Sequence, residues 1–375
     1  MKTLYLHIGT PKTGTTAIQA FLEKNSDLLR QCGYNYPLMS LPWSDVPSRR
    51  NGHFFIMKKD STQELTAIWH EHIAYGLSML HREFELYDNV ILSDEDLWNS
   101  IWYDPASFLQ VLPEDAGAHN YRVQIIVYLR RQDLFLTSLW NQKVKKGKTS
   151  EPLPLFVKHH MEEKPLYTDY DQTLTRLADI FGADALIVRR YETASWVNQS
   201  ICDDFLTAVG LDCSLPFVSS KETPANLSLS ESAAEIQRIV NSADFLSPEE
   251  KQRFAKIRNE LPQSVSPQSK ALNFPERHLS VKEADSVLAH FKEGNNHVAQ
   301  VWFSDGKPLF SESITAPAIR QRLSSEELSD DIIYFFLSVT HDLYMQNQEL
   351  SHWARPFMHI TRILRHPLAA IRHLL

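Results

Sequence analysis

The sequence predicts a three-layer α/β fold, with a central, mostly parallel sheet flanked by helices. Two patterns predict it. Short apolar runs alternate with helical stretches over the first two hundred residues, which is the signature of βαβ units. The first of these runs leads through a glycine-bearing loop, Gly9 to Thr16, straight into an amphipathic helix. A helix N-terminus reached in this way is a ready-made anion site.

Strands are expected at Thr3–Ile8, Asn89–Ser93, Arg122–Leu129 and Ala185–Arg190, each bounded by polar or turn residues. The first helix is expected from about Gly14 to Gln31. Ala17/Ile18, Phe21/Leu22 and Leu28/Leu29 recur on one face, and Gly33 provides the stop. Asp171–Phe181 reads as another helix, ended by Gly182. Ser228/Glu231, Ser247/Glu250 and Ser280/Glu283 read as capping boxes opening later helices. Segments 38–64, 212–227 and 262–278 read as loops. The stretch from Glu326 reads as helical and appended, so the expected organisation is an α/β domain over 1–325 and a C-terminal helical extension over 326–375.

Bulk properties exclude several classes. With 38 basic and 46 acidic residues the net charge is −8, so no global basic field for nucleic acid exists. Three cysteines, Cys32, Cys202 and Cys213, form no C-x-x-C pair, which argues against a disulfide framework. No apolar run reaches the ~20 residues needed to span a bilayer. The N-terminus lacks a signal-peptide core. A cytoplasmic setting is expected, with the inner face of the membrane as a further option.

The most informative stretch runs from Leu6 through Gly9-Thr10-Pro11-Lys12-Thr13-Gly14-Thr15-Thr16. Gly9 and Gly14 permit tight backbone turns. Thr15 and Thr16 bring hydroxyls to the first helical turn, and Lys12 brings a mobile charge. The spacing of Gly9, Gly14 and Thr16 matches the ATP-type loop G-x-x-x-x-G-K-[ST]. However, Thr15 occupies the lysine place, and the lysine stands at position 12. A second candidate anion site follows the strand that ends at Leu129. Arg130 stands at its carboxyl end, where open α/β sheets bind ligands, and its planar fork suits phosphate. Ser138 lies eight residues on.

Pro11-Lys12-Thr13-Gly14-Thr15-Thr16 resembles the P-K-[ST]-G-T-[ST] hallmark of the sulfotransferases that use 3′-phosphoadenosine 5′-phosphosulfate (PAPS), where this loop grips the 5′-phosphosulfate. Arg130 and Ser138 resemble that family's 3′-phosphate pair, and Arg190-Tyr191-Glu192 its Y-E-x stretch near the adenosine. Arg131-Gln132 departs from the family pattern and leaves Arg131 as a substitute for Arg130. The resemblance is carried by residues 3–31 and 122–142, and its pattern is nearest to bacterial enzymes that sulfate glycans or glycolipids. It implies a single α/β domain, PAPS as donor, PAP as product, no metal in the reaction, and a carbohydrate or glycolipid acceptor.

Sulfuryl transfer is an in-line displacement. Negative charge grows on the leaving phosphate oxygen, where Lys12 and the loop N–H groups can stabilise it. The acceptor hydroxyl needs a general base. His53, in Arg50-Asn51-Gly52-His53, and Glu95, in Ser93-Asp94-Glu95-Asp96, are the candidates. The same residues also have plainer readings, His53 as a solvated loop histidine and Glu95 as an acid opposing a helix dipole.

Other features carry less. His70-Glu71-His72 is not the H-E-x-x-H metal motif, and no metal site is assigned. Lys143–Lys148 reads as a helix end with a solvated basic face; the sharper reading is a strip at the donor mouth. The tail 354–375 is amphipathic, with four arginines and no acid. It suits docking onto the core or a sister subunit, and also peripheral contact with an anionic membrane. Two rival functions stand beside sulfuryl transfer. One is a P-loop nucleotide kinase or NTPase using Asp94 for Mg²⁺. The other is a non-catalytic nucleotide-binding scaffold.

Overall fold

The computed structural model describes residues 1–56, 63–103, 108–163, 167–218, 229, 231–260, 279–311, 335–336, 339–340 and 343. The Ser228/Glu231 box, the loop 262–278 and the tail 354–375 lie outside the described residues.

Five strands form one parallel sheet in the order β2-β3-β1-β4-β5. They are β1 (Lys2–His7), β2 (Tyr34–Asn35), β3 (Asn89–Ser93), β4 (Tyr121–Leu129) and β5 (Leu186–Arg190). The four expected strands are present. β2 is an addition of two residues, pairing Tyr34 with Asn89 and Asn35 with Val90, too short to show a pattern. β1 is central. Its Leu6 pairs with Leu92 on one side and Ile125 on the other, and His7 with Ser93 and Ile126.

Strand side chains alternate between two faces, and each face has its own core. Leu4, Leu6, Ile8, Val90, Leu92, Ile125 and Val127 enter one core. The helices α3 (Gln63–Leu86), α5 (Phe108–His119) and α8 (Tyr170–Phe181) cover it with Trp69, Ile73, Leu80, Leu112, Leu174 and Leu177. Tyr5, Ile91, Ile126 and Tyr128 enter the other core. There α1 (Thr15–Lys24) and α9 (Ile201–Ala208) contribute Ile18, Phe21, Leu22, Phe205 and Leu206. The three expected layers are therefore present.

The expected first helix is two helices, α1 and α2 (Ser26–Gln31). The periodicity runs on, but Asn25 breaks the helix. Its side chain donates to the Phe21 carbonyl at 2.8 Å and to the Val218 carbonyl at 3.0 Å, and accepts from the Val218 N–H at 2.8 Å. A side chain that pairs with backbone competes with helix continuation. The Ser280/Glu283 capping box closes as expected at the start of α12 (Val281–His290). Ser247 and Glu250 exchange hydrogen bonds ahead of α11 (Pro248–Glu260).

The chain falls into two compact units, Met1–Leu229 with Asn273–Arg322, and Ser230–Leu272 with Leu323–Leu375. The sheet belongs to the first. In the second, Ile236 and Val240 of α10 (Glu231–Ser242) share a small core with Phe335 and Val339. No helix among the described residues is long and apolar enough to cross a membrane.

Candidate active site

The site lies at the carboxyl edge of the sheet, where β1, β3, β4 and β5 end. The loop after β1 continues the ladder before it turns. Thr10 N–H donates to the Tyr128 carbonyl at 3.1 Å, and Tyr128 N–H donates to the Gly9 carbonyl at 2.7 Å. Gly9, Lys12 and Gly14 then take positive φ values of 104°, 68° and 74°. Gly14 caps α1, and a Cβ there would lie 2.8 Å from Ile201 Cδ1 and 3.3 Å from the Tyr191 ring. Only glycine meets both the dihedral and the space. Thr13 is buried and donates to the Thr10 carbonyl. Thr15 is buried too, and its Oγ1 has no hydrogen-bond partner. An orphaned hydroxyl at a helix N-terminus is unusual and fits an anionic ligand. Pro11 is partly exposed and Thr16 exposed.

Arg130, one residue past β4, turns back to this loop. Its Nη1 donates to the Lys12 carbonyl at 2.8 Å, and its guanidinium sits 5.5 Å from the Tyr191 ring centroid. Tyr170 Oη donates to the Arg130 carbonyl at 2.5 Å. Burial, with Arg130, Lys146 and Lys145 nearby, holds the Lys12 ammonium below its ordinary pKa, and Glu95 opposes this. The basic helix end of α6 (Gln132–Lys145) therefore acts on the loop electrostatically. Ser138 is buried on α6.

Arg131 is engaged elsewhere. It is buried, and its Nε and Nη2 reach the two oxygens of Asp133 at 2.8 and 3.1 Å. Gln132, the other departure from the family pattern, exchanges amide hydrogen bonds of 2.7 and 3.1 Å with Asn295. Together these two pairings occupy both side chains that interrupt the pattern.

The candidate bases come together on the β3 side. Asn51 pins the irregular segment to the sheet, donating to the Pro37 and Ile91 carbonyls at 2.8 and 3.2 Å and accepting from Ser93 N–H at 2.7 Å. A short 3₁₀ turn, His53–Phe55, follows. His53 Nδ1 lies 3.1 Å from Asp94 Oδ2. Asp94 is fully buried, pairs with Arg50, and accepts from the Asp96 N–H at 2.9 Å. Glu95 backs onto the loop: a Cβ on Gly9 would be 3.5 Å from the Glu95 Cα and Cβ. Gln19 Nε2 donates to Glu95 Oε2 at 3.3 Å and to Ser93 Oγ at 3.2 Å. Burial pushes the Glu95 carboxyl above its ordinary pKa, against the pull of Arg50. His7 stands beneath the site, its Nδ1 2.9 Å from Ser93 Oγ, and burial lowers its pKa to about 3.

Arg50 and Asn51 carry this arrangement without a role of their own in the sequence reading, and Asp94, read there as a Mg²⁺ acid, pairs with Arg50 and His53 instead. The available signal was an acid at an apolar strand's carboxyl end. Its partners Arg50 and His53 lie more than forty residues away.

No known family profile matches the chain. It is 29% identical over 185 residues to an uncharacterized protein of Archaeoglobus fulgidus, a match covering 49% of this chain. The chain spans 47% of that relative's length. Among solved structures it is similar to the crystal structure of a sulfotransferase from Alicyclobacillus acidocaldarius. The TM-score is 0.39 and the identity 15%, over 64% of this chain and 94% of that one.

Proposed function

We propose that the chain is a PAPS-dependent sulfotransferase acting on a hydroxyl or amine of a carbohydrate or glycolipid. One observation carries the reading. The loop after β1 and the residue after β4 meet, with Arg130 Nη1 donating to the Lys12 carbonyl at 2.8 Å. A donor with phosphates at both ends needs such a bipartite grip. The loop N–H groups, Thr15 and Lys12 take the 5′-phosphosulfate, Arg130 and Ser138 the 3′-phosphate, and Tyr191 a face of the adenosine.

In the proposed reaction the acceptor oxygen forms a bond to sulfur as the bond from sulfur to the 5′-phosphate oxygen breaks. The electron pair stays on that phosphate oxygen, and the Lys12 ammonium stabilises it there. The acceptor proton passes to a base. Asp94 holds the Nδ1 side of His53, which leaves Nε2 free to accept. Glu95, with its raised pKa, is the second candidate acceptor of the proton. The reaction is proposed to run in the cytoplasm or at the inner face of the membrane.

The P-loop NTPase reading requires a free strand-end acid for Mg²⁺. Asp94 is instead occupied by Arg50, His53 and a backbone N–H. Calorimetry with PAP, and separately with ATP plus Mg²⁺, tests the proposal. PAP binding without metal is expected; binding of ATP alone sinks it. Radiolabelled sulfate transfer to cell-envelope glycans separates an enzyme from a scaffold. Binding of PAP with no transfer to any acceptor favours the scaffold.

A further inference from the structure

The opposite edge of the sheet holds a group of side chains that the proposed reaction does not use. Helices that return a chain from one parallel strand to the next end at the strands' amino edge. α3 ends there before β3, and α5 ends there before β4. His81 of α3 and Asp115 and His119 of α5 meet at this point. His81 Nε2 lies 2.9 Å from Asp115 Oδ2, and His119 Nδ1 lies 3.3 Å from Asp115 Oδ1. One ligand atom from each of the three residues falls within 4.8 Å of the others.

We propose that His81, Asp115 and His119 bind a divalent transition ion of the zinc type, clipping α3 to α5. Two imidazoles and one carboxylate are a borderline donor set that suits such ions, and three protein ligands leave a position for water. Asp115 and His119 are four residues apart, on one face of the helix. The other histidine–carboxylate contacts lack this convergence. Among the described residues, the ion-pair acid of His159 is Glu151 and that of His297 is Asp171, and Asp94 already holds the Arg50 cation. Asp115 has no lysine or arginine ion pair among the described residues.

The surroundings also fit. Tyr121, the first residue of β4, donates from its hydroxyl to Asp115 Oδ2 at 2.7 Å. A metal-ligating carboxylate is commonly oriented by such a partner. Tyr121 is itself fixed by the Phe84 ring, 4.9 Å away. The left-handed Asn120, φ 53°, ends α5 and sets His119 against this strand start. The two imidazoles stack with centroids 3.8 Å apart, and His119 is half exposed, so solvent ions have access. Zinc binding would need His81 Nε2 and His119 Nδ1 unprotonated, each ring keeping its proton on the other nitrogen, and His119 Nδ1 would give up its 3.0 Å contact with the Asp115 carbonyl.

The test uses the full chain after chelator treatment, titrated with Zn²⁺ by calorimetry and with Co²⁺ by visible absorption. One equivalent of zinc per chain is expected, together with the intense visible bands of four-coordinate cobalt. Saturating zinc is expected to raise Tm by about 5 °C. His81→Ala and His119→Ala should each abolish the stoichiometric site. Tyr121→Phe should weaken it by about 10- to 100-fold. His159→Ala should leave it unchanged. Far-UV circular dichroism checks the folding of each variant, and the exposed His119→Ala suffices if His81→Ala fails to fold. Absence of a one-equivalent site overturns the proposal. So does a site that survives in folded His119→Ala, or cobalt spectra showing only the weak six-coordinate bands.

Discussion

Arg131 grips Asp133 with two prongs, Nε at 2.8 Å and Nη2 at 3.1 Å, and both side chains are buried. This ion pair separates the roles of two adjacent arginines. Arg131→Ala removes the buried guanidinium that grips Asp133, a loss of about 3–5 kcal/mol, which a lower Tm reports. PAP affinity per folded molecule should hold. Arg130→Ala should instead weaken PAP binding about 10- to 100-fold, the worth of a charge-assisted hydrogen bond, with Tm nearly unchanged. Calorimetry with PAP on both variants decides the assignment, and an unchanged affinity in Arg130→Ala would move it to Arg131.

Lys12 sits in positive φ at the centre of the loop, its ammonium held below its ordinary pKa chiefly by burial. A group that stabilises charge mainly in the transition state affects turnover more than binding. Lys12→Ala should lower kcat by about 100- to 1,000-fold while PAP still binds. Sulfate transfer at saturating PAPS measures this, and near-normal turnover would remove Lys12 from the chemistry.

Glu95 carries a testable pH signature. Its carboxyl titrates above the ordinary range because burial disfavours the charged form. As a base it works only when ionised, so activity should fall as pH drops through that raised pKa. Glu95→Gln should erase this acid limb and lower kcat by about 100- to 10,000-fold. The folded state binds the Glu95 proton more tightly than the unfolded chain does. Stability therefore falls as pH rises from the unfolded pKa through the folded one, and Glu95→Gln should be the more stable protein above that window. If His53 and Glu95 act as one unit, the double variant His53→Ala with Glu95→Gln will be no slower than the worse single variant.

His7 predicts an acid sensitivity of the fold itself. Its pKa is lowered from 6.5 to about 3 by complete burial. The unfolded chain therefore takes up a proton that the folded chain refuses. The neutral-His7 contribution is complete above pH 6.5 and is lost as pH falls toward 3, at about 1.4 kcal/mol per pH unit. His7→Gln should flatten the denaturation midpoint over that window. An unchanged slope would mean that another group sets the acid limit.

The elements that could be read from sequence are those with local causes. β1, β3, β4 and β5 follow from apolar runs between turn residues, and the loop follows from glycines set between a strand and a helix. β2 has only two residues and is defined by its neighbour β3. The break at Asn25 depends on Val218, nearly two hundred residues away. For the same reason His53, Glu95 and Asp94 were visible as separate candidates, whereas the pairing of Asp94 with Arg50 and His53 was not. A carboxylate's partners across forty residues leave no spacing to read.

The strand order β2-β3-β1-β4-β5 has a consequence for how such a protein diverges. The loop rises from the middle strand. Arg130 and Tyr191 belong to the β4–β5 wing, and His53, Asp94 and Glu95 to the β2–β3 wing. Asn51 fastens the His53 segment to β3 alone. On the proposed function, substitutions accumulating in the β2–β3 wing would alter the acceptor side while the opposite wing passes unaltered to its descendants.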